Sequence, residues 1–106
     1  MWYVSGVNLQ MTEDDWGIAL PVTVNGLTLG ENDSLKFTFK TSKNGETILE
    51  KSFHGIDENT VELELSENDS AKFPVGVYAY GLDWYQSGSF LCNIIPSATF
   101  KVVDKV

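Results

Sequence analysis

Chemistry in a small protein usually begins with histidine, cysteine or paired carboxylates. His54 is the only histidine of the 106 residues and Cys92 the only cysteine. A nucleophile needs a base within reach, and His54, followed by Gly55 in a turn-like stretch, assembles neither a Ser-His-Asp nor a Cys-His set. It reads as a solvated imidazole. Four segments, Glu13-Asp14-Asp15, Glu31-Asn32-Asp33, Asp57-Glu58-Asn59 and Glu67-Asn68-Asp69, carry the oxygen ligands that calcium takes. None has EF-hand spacing, and Asp and Asn in turns commonly bond their own backbone, so no metal is expected. Two carboxylates flanking a cleft hydrolyse glycosides, but a chain this short leaves little room for a cleft. A phosphate-binding glycine loop and a Gly-x-Ser-x-Gly elbow are both missing. The sequence therefore predicts no catalytic residue, no cofactor and no enzyme.

Binding chemistry rests with the aromatic residues. The stretch Asp83-Trp84-Tyr85-Gln86-Ser87-Gly88-Ser89-Phe90 gathers three of them around one turn. Strand alternation puts Trp84 and Tyr85 on opposite faces. Either both faces of that strand are covered, or one ring is exposed as a sugar-stacking platform or a protein hot spot. Trp84, Tyr85, Phe90 and Trp16 are the candidate binding residues, with a partner protein or a glycan as ligand.

The elements that hold these residues follow a period of two. Leu35, Phe37 and Phe39 alternate with Lys36, Thr38 and Lys40, and Val61, Leu63 and Leu65 with Glu62 and Glu64. Strands of this kind bury one face and wet the other, and several short ones separated by turns make a sandwich or barrel. Trp2 and Val4, then Val7, Leu9 and Met11, alternate with a phase slip at Ser5-Gly6, which predicts a bulge or bend in a first strand. Asn25-Gly26 predicts a two-residue type I′ hairpin pairing Val24 with Leu27 and Val22 with Leu29. At Asn44-Gly45 a two-residue loop would set Phe39 against Glu50, so a longer loop or a crossing between sheets is expected. Thr47 to Phe53 is expected to be an edge strand. Ser66 with Asp69 has the form of a short capping box, limited to one turn by Pro74. Val77 to Tyr85 reads as a strong strand with Tyr78, Tyr80, Leu82 and Trp84 on one face, and Gly81 marks close packing or a bulge. After a turn at 86–89, Phe90 to Ile95 and Ala98 to Val103 are expected as two strands broken at Pro96. Residues 27–37 resemble residues 63–73, a likeness best read as shared strand-and-turn grammar rather than duplication.

Length and composition bound the partners. A single domain over residues 1–106 is expected. The formal charge is -8, with lysine supplying every positive side chain and no arginine. Nucleic acid calls for a basic face, and anionic lipid repels such a chain, so neither is an expected partner. Cys92 can form no intrachain disulfide and reads as a small buried hydrophobe. This suits a reducing compartment or a particle assembled in one. Met1-Trp2-Tyr3-Val4-Ser5 lacks the basic start of a signal peptide, and no apolar run reaches membrane-span length.

The run Phe73-Pro74-Val75-Gly76-Val77-Tyr78-Ala79-Tyr80 resembles the strand entry of immunoglobulin-like domains. There a Gly-x-Tyr step forms a tyrosine corner, and a core cysteine follows two residues later. Tyr80 takes the place of that cysteine, and no core tryptophan stands between Leu35 and Phe53. The expected fold is an immunoglobulin-like antiparallel β-sandwich without the inter-sheet disulfide. The wider pattern is similar to small immunoglobulin-like proteins of tailed phages and prophages, and in layout to the N-terminal domain of phage baseplate upper proteins. Asp33-Ser34-Leu35-Lys36-Phe37, Val61-Glu62-Leu63-Glu64-Leu65, Gly76 to Tyr80 with Asp83-Trp84, and Phe100-Lys101-Val102 carry it, from about Leu20 onward. Met1 to Trp16 departs from it. The resemblance implies a structural part of a tail or baseplate. Its partners would be other tail proteins or copies of itself, in the virion or in the bacterial cytoplasm during assembly. It brings no catalytic residues.

Overall fold

The computed structural model describes residues 2–104; Met1, Lys105 and Val106 of the expected domain lie outside them. The alternating segments form strands in chain order: β1 (Trp2–Ser5), β2 (Asn8–Thr12), β3 (Leu20–Thr23), β4 (Asp33–Lys40), β5 (Thr47–His54) and β6 (Thr60–Leu63), then a helical turn α1 (Glu67–Ser70), β7 (Gly76–Gln86) and β8 (Ser89–Val103). The larger sheet runs β1-β2-β8-β7-β4-β5, and β3 pairs with β6 in a second, two-stranded sheet. Leu35, Phe37 and Phe39 from β4, Tyr80 and Leu82 from β7, and Val61 and Leu63 from β6 share one buried cluster between the sheets. The fold is an all-β sandwich, as expected. The order β8-β7-β4-β5 facing β3-β6 matches G-F-C-C′ facing B-E in immunoglobulin-like domains. One pairing breaks the antiparallel expectation: β2 runs parallel to β8, with Leu9 beside Phe100 and Met11 beside Val102.

The tyrosine corner forms as the sequence predicts. The Tyr78 hydroxyl donates to the Pro74 carbonyl at 2.5 Å, four residues upstream. Two residues on, Tyr80 fills the space of the missing disulfide and stacks on Phe37 with centroids 6.3 Å apart. Phe37, 1 % exposed, thus does the packing that a core tryptophan does elsewhere. Phe39, Phe73 and Phe100 continue this aromatic core through edge-to-face contacts at 5.1–5.5 Å.

Several local expectations are corrected. The phase slip at Ser5-Gly6 is a complete hairpin: β1 pairs with β2, Ser5 opposite Asn8. Gly6 has φ +63°, matching a type II′ turn with glycine at its first central position. Asn25-Gly26 is a turn but not a hairpin. Only Gly26 has positive φ (+81°) there, the type II signature rather than I′. Val22 pairs with Val61 of β6 instead of with Leu29. Leu27 and Leu29 are buried as irregular chain, with the Leu29 amide donating to the Glu58 carbonyl at 2.6 Å. The type I′ pattern occurs at Ser87-Gly88, where both φ values are positive and Gln86 faces Ser89.

β8 is one strand of 15 residues rather than two. The expected break at Pro96 is a bulge, because Tyr80 pairs with Ala98 and Leu82 with Ile95, leaving Gly81 opposite Pro96 and Ser97. Two more residues of β8, Leu91 and Ile94, are left over between successive partners of β7. The loop after β4 is long, with Lys40 opposite Thr47, and β5 lies at the sheet's edge. The capping box at Ser66 is present, with Ser66 and Asp69 bonding each other's backbone amides. Residues 33–37 are strand where 69–70 end a helical turn, so the two similar segments are not a structural repeat.

Candidate functional site

The β7–β8 hairpin carries three of the four aromatic candidates. Alternation along β7 directs Tyr78, Tyr80, Leu82 and Trp84 inward, and Val77, Ala79, Gly81, Asp83 and Tyr85 to the outer face of the larger sheet. Trp84 packs half-buried against the core, and its indole N–H is buried with no hydrogen-bond partner among the described residues. Tyr85 and Phe90 are cross-strand partners on the outer face, edge to face at 5.9 Å. Lys36 reaches over the Tyr85 ring, 5.2 Å from its centre, and is itself ion-paired with Glu50. The hydrogen bond with Glu50 outweighs desolvation and holds the Lys36 ammonium above its ordinary range. Phe90 is 56 % exposed. Tyr85 and Phe90 thus come together, and Trp84 is turned away from them. Trp16 is elsewhere: it lies near Trp2, Met11 and Leu65. Met11 is beside Val102 and Val102 beside Gly76, and from Gly76 to Tyr85 along β7 is on the order of 30 Å.

The hairpin projects past its cover. β2 flanks β8 only from Phe100 to Val103, so among the described residues Ser89 to Ala98 has no strand on that side. The second sheet is two strands wide and leaves the inner face there only partly covered, with Ile94, Ile95 and Ala98 half-buried. Leu91 and Phe90 are exposed at the tip. Beyond them an apolar groove of about 360 Å³ opens between β1–β2, β3 and β8, lined by Val4, Val7, Leu20, Val22, Ile94 and Ile95 among others. The Tyr80 hydroxyl donates to the Val7 carbonyl beside this groove. Burial pushes the Tyr80 phenol up to about 12. The pair Ile94-Ile95 is the sequence signal for the groove, since alternation can bury only one of two adjacent isoleucines.

The bordering edges are blunted. Val24 donates its amide to Asn59, on the β6 side, so alternation points the Pro21 nitrogen to the free side of β3, where proline offers no N–H. Three bulges and Pro96 interrupt the free side of β8. On β5 the inward Lys51 bonds Asp69 at 2.5 Å. These devices oppose addition of a foreign strand, so contact at the groove falls to side chains.

The remaining candidate chemistry is quiet. His54 ends β5 rather than lying in a turn, its Nδ1 3.3 Å from the Asp33 carbonyl. Carboxylates of the oxygen-rich segments cap their own backbone: Asp33 accepts from Gly30, Asp57 from Asn59, Asp69 from Ser66. Among the described residues no group of three or more His, Cys, Asp or Glu is placed to hold a metal ion. Cys92, expected to be buried, is exposed, because the hairpin extends beyond the second sheet. No described helix is long and apolar enough to cross a membrane. No model of a known family matches the sequence, and no curated protein matches it.

Proposed function

We propose that this chain is a non-catalytic contact module that binds a partner protein through the uncovered end of its larger sheet, as a structural or assembly component of a phage or prophage tail or baseplate. The observation that carries the contact reading is the exposed apolar surface at this end, Phe90 and Leu91 at the hairpin tip and the groove lined by Ile94, Ile95, Val4 and Val7. Apolar surface with a polar rim is the usual mark of a protein contact site. The blunted edges around it let side chains dock without inviting uncontrolled sheet growth. The tail or baseplate setting rests on the sequence resemblance described above.

The test is assembly. Particles are purified from an induced lysogen carrying the gene and analysed for this chain by mass spectrometry. The chain is expected in tail or baseplate fractions, and a Phe90→Ser/Leu91→Ser variant of unchanged melting temperature is expected to be lost from them. Absence of the wild-type chain from particles would overturn the tail setting. Full incorporation of the variant would overturn the surface.

A further inference from the structure

We propose that the outer face of the larger sheet holds a second site, for a carboxylate-bearing saccharide. The recess itself is separate from the apolar groove and independent of the protein-contact reading, and the Phe90 ring at the hairpin tip is common to both surfaces. It begins with an unequal distribution of charge. The chain carries -8 overall, yet four of its seven lysines, Lys36, Lys40, Lys43 and Lys101, belong to this face or the loop beside it. Lys36 is taken by Glu50. Lys40 and Lys43 have no carboxylate within ion-pair range among the described residues, and both line a recess of about 230 Å³.

The recess exists because of a backbone irregularity. Gly81 contributes no side chain, and the bulge at Pro96–Ser97 lifts β8 beside it. Its walls are Thr38, Lys40, Lys43, Asp83, Asn93 and Ser97. The Asn93 amide donates to Asp83 Oδ1 at 2.7 Å and to the Ile95 carbonyl at 3.4 Å. Both amide hydrogens are therefore occupied, which leaves Asp83 Oδ2 and Asn93 Oδ1 as fixed acceptors. Farther along the same face stands the exposed Phe90 ring.

Acceptors set beside two unpaired ammonium groups select a ligand with both hydroxyl donors and an anionic group. Hydroxyls satisfy Asp83 and Asn93, and a carboxylate satisfies Lys40 and Lys43. An apolar sugar face suits the Phe90 ring. An acidic peptide would set its carboxylates against Asp83, and its backbone would find no open strand edge on a sheet face. A neutral sugar would leave both lysines unmatched.

The test uses the whole chain, 15N-labelled, titrated with tri-galacturonate, a neutral galactose trimer and tri-glutamate. Amide shifts centred on Gly81, Asn93 and Ser97 are expected with the uronate. On the order of tenfold weaker binding is expected for the neutral trimer, and for a Lys40→Gln/Lys43→Gln variant that melts as wild type does, since two exposed pairs are lost. Absence of uronate binding would overturn the site, and equal affinity for tri-glutamate would overturn the saccharide. Uronate shifts undiminished in the lysine variant would show that the recess is not responsible.

Discussion

Tyr80 joins the core to the groove. Its ring takes the place of a covalent cross-link against Phe37, and its hydroxyl ties down the turn at Val7. Replacing it with phenylalanine keeps the ring and removes the tie, so Tyr80→Phe is expected to lower stability by about 1 kcal/mol in urea melts near neutral pH. Alkali provides a sharper measurement. The folded phenol titrates at about 12, and an unfolded one near 10. The stabilisation is therefore complete below pH 10 and is lost as pH rises toward 12, because only the unfolded chain ionises readily in that window. Wild type should lose stability from pH 10 to 12 faster than Tyr80→Phe, so that the gap between them closes. At this scale part of the fold was legible. Gly76-x-Tyr78 specifies its corner, and counting two residues on locates Tyr80 in the core. That Phe37 would supply the packing of a core tryptophan was not legible, because Phe37 and Phe39 alternate alike and only the facing sheet distinguishes them.

Elements show where local grammar stops. Asn25-Gly26 and Ser87-Gly88 are both turn dipeptides, yet only the second closes a two-residue hairpin. What separates them is the partner of the flanking chain: β3 pairs with β6, almost forty residues away, and no turn residue encodes that. Ser87 has φ +49°, a conformation costing a residue other than Gly, Asn or Asp about 1 kcal/mol. Ser87→Asn is thus expected to raise the melting temperature measurably without altering the groove. Gly81→Ala should do the opposite, since a Cβ there would lie 3.1 Å from the Ile95 carbonyl. Loss of stability, with amide shifts confined to Gly81 and residues 95–97, would identify the bulge as the element disturbed. The helical turn α1 is anchored by Asp69, which accepts from Ser66 and bonds Lys51. Burial raises the Asp69 carboxyl, but the Lys51 and Ser66 hydrogen bonds prevail and hold it below the ordinary value. Its contribution is present above the unfolded carboxyl pKa of about 3.9 and is lost as pH falls through the folded value. Wild type should therefore weaken on acidification below pH 4, and Asp69→Asn, weaker at neutral pH, should lack that component.

For the whole molecule, the class of fold followed from alternation and turn spacing, while the shape of the binding surface did not. Phe90 could be nominated because it adjoins a turn. The groove beside it arises from a mismatch in width between two sheets, and such a mismatch is set by which strands find partners. Cys92 is exposed for the same reason, since an apolar strand buries a thiol only where another sheet lies over it. The exposed thiol should react with Ellman's reagent in the native protein about as fast as in the unfolded one, and protection would contradict the uncovered end. The parallel pairing of β2 with β8 has a different consequence, for the order of events in folding. Leu9 meets Phe100 only after nearly the whole chain has been gathered, and Trp2 lies two strands from Val102, roughly 10 Å away. A circular permutant that joins the ends by a short linker and opens the chain between β2 and β3, at Asp14-Asp15, would convert this distant closure into a local one while leaving the sequence separation of every other strand pair unchanged. Lower contact order speeds folding, so the permutant is expected to refold faster than the natural order while reaching the same sandwich.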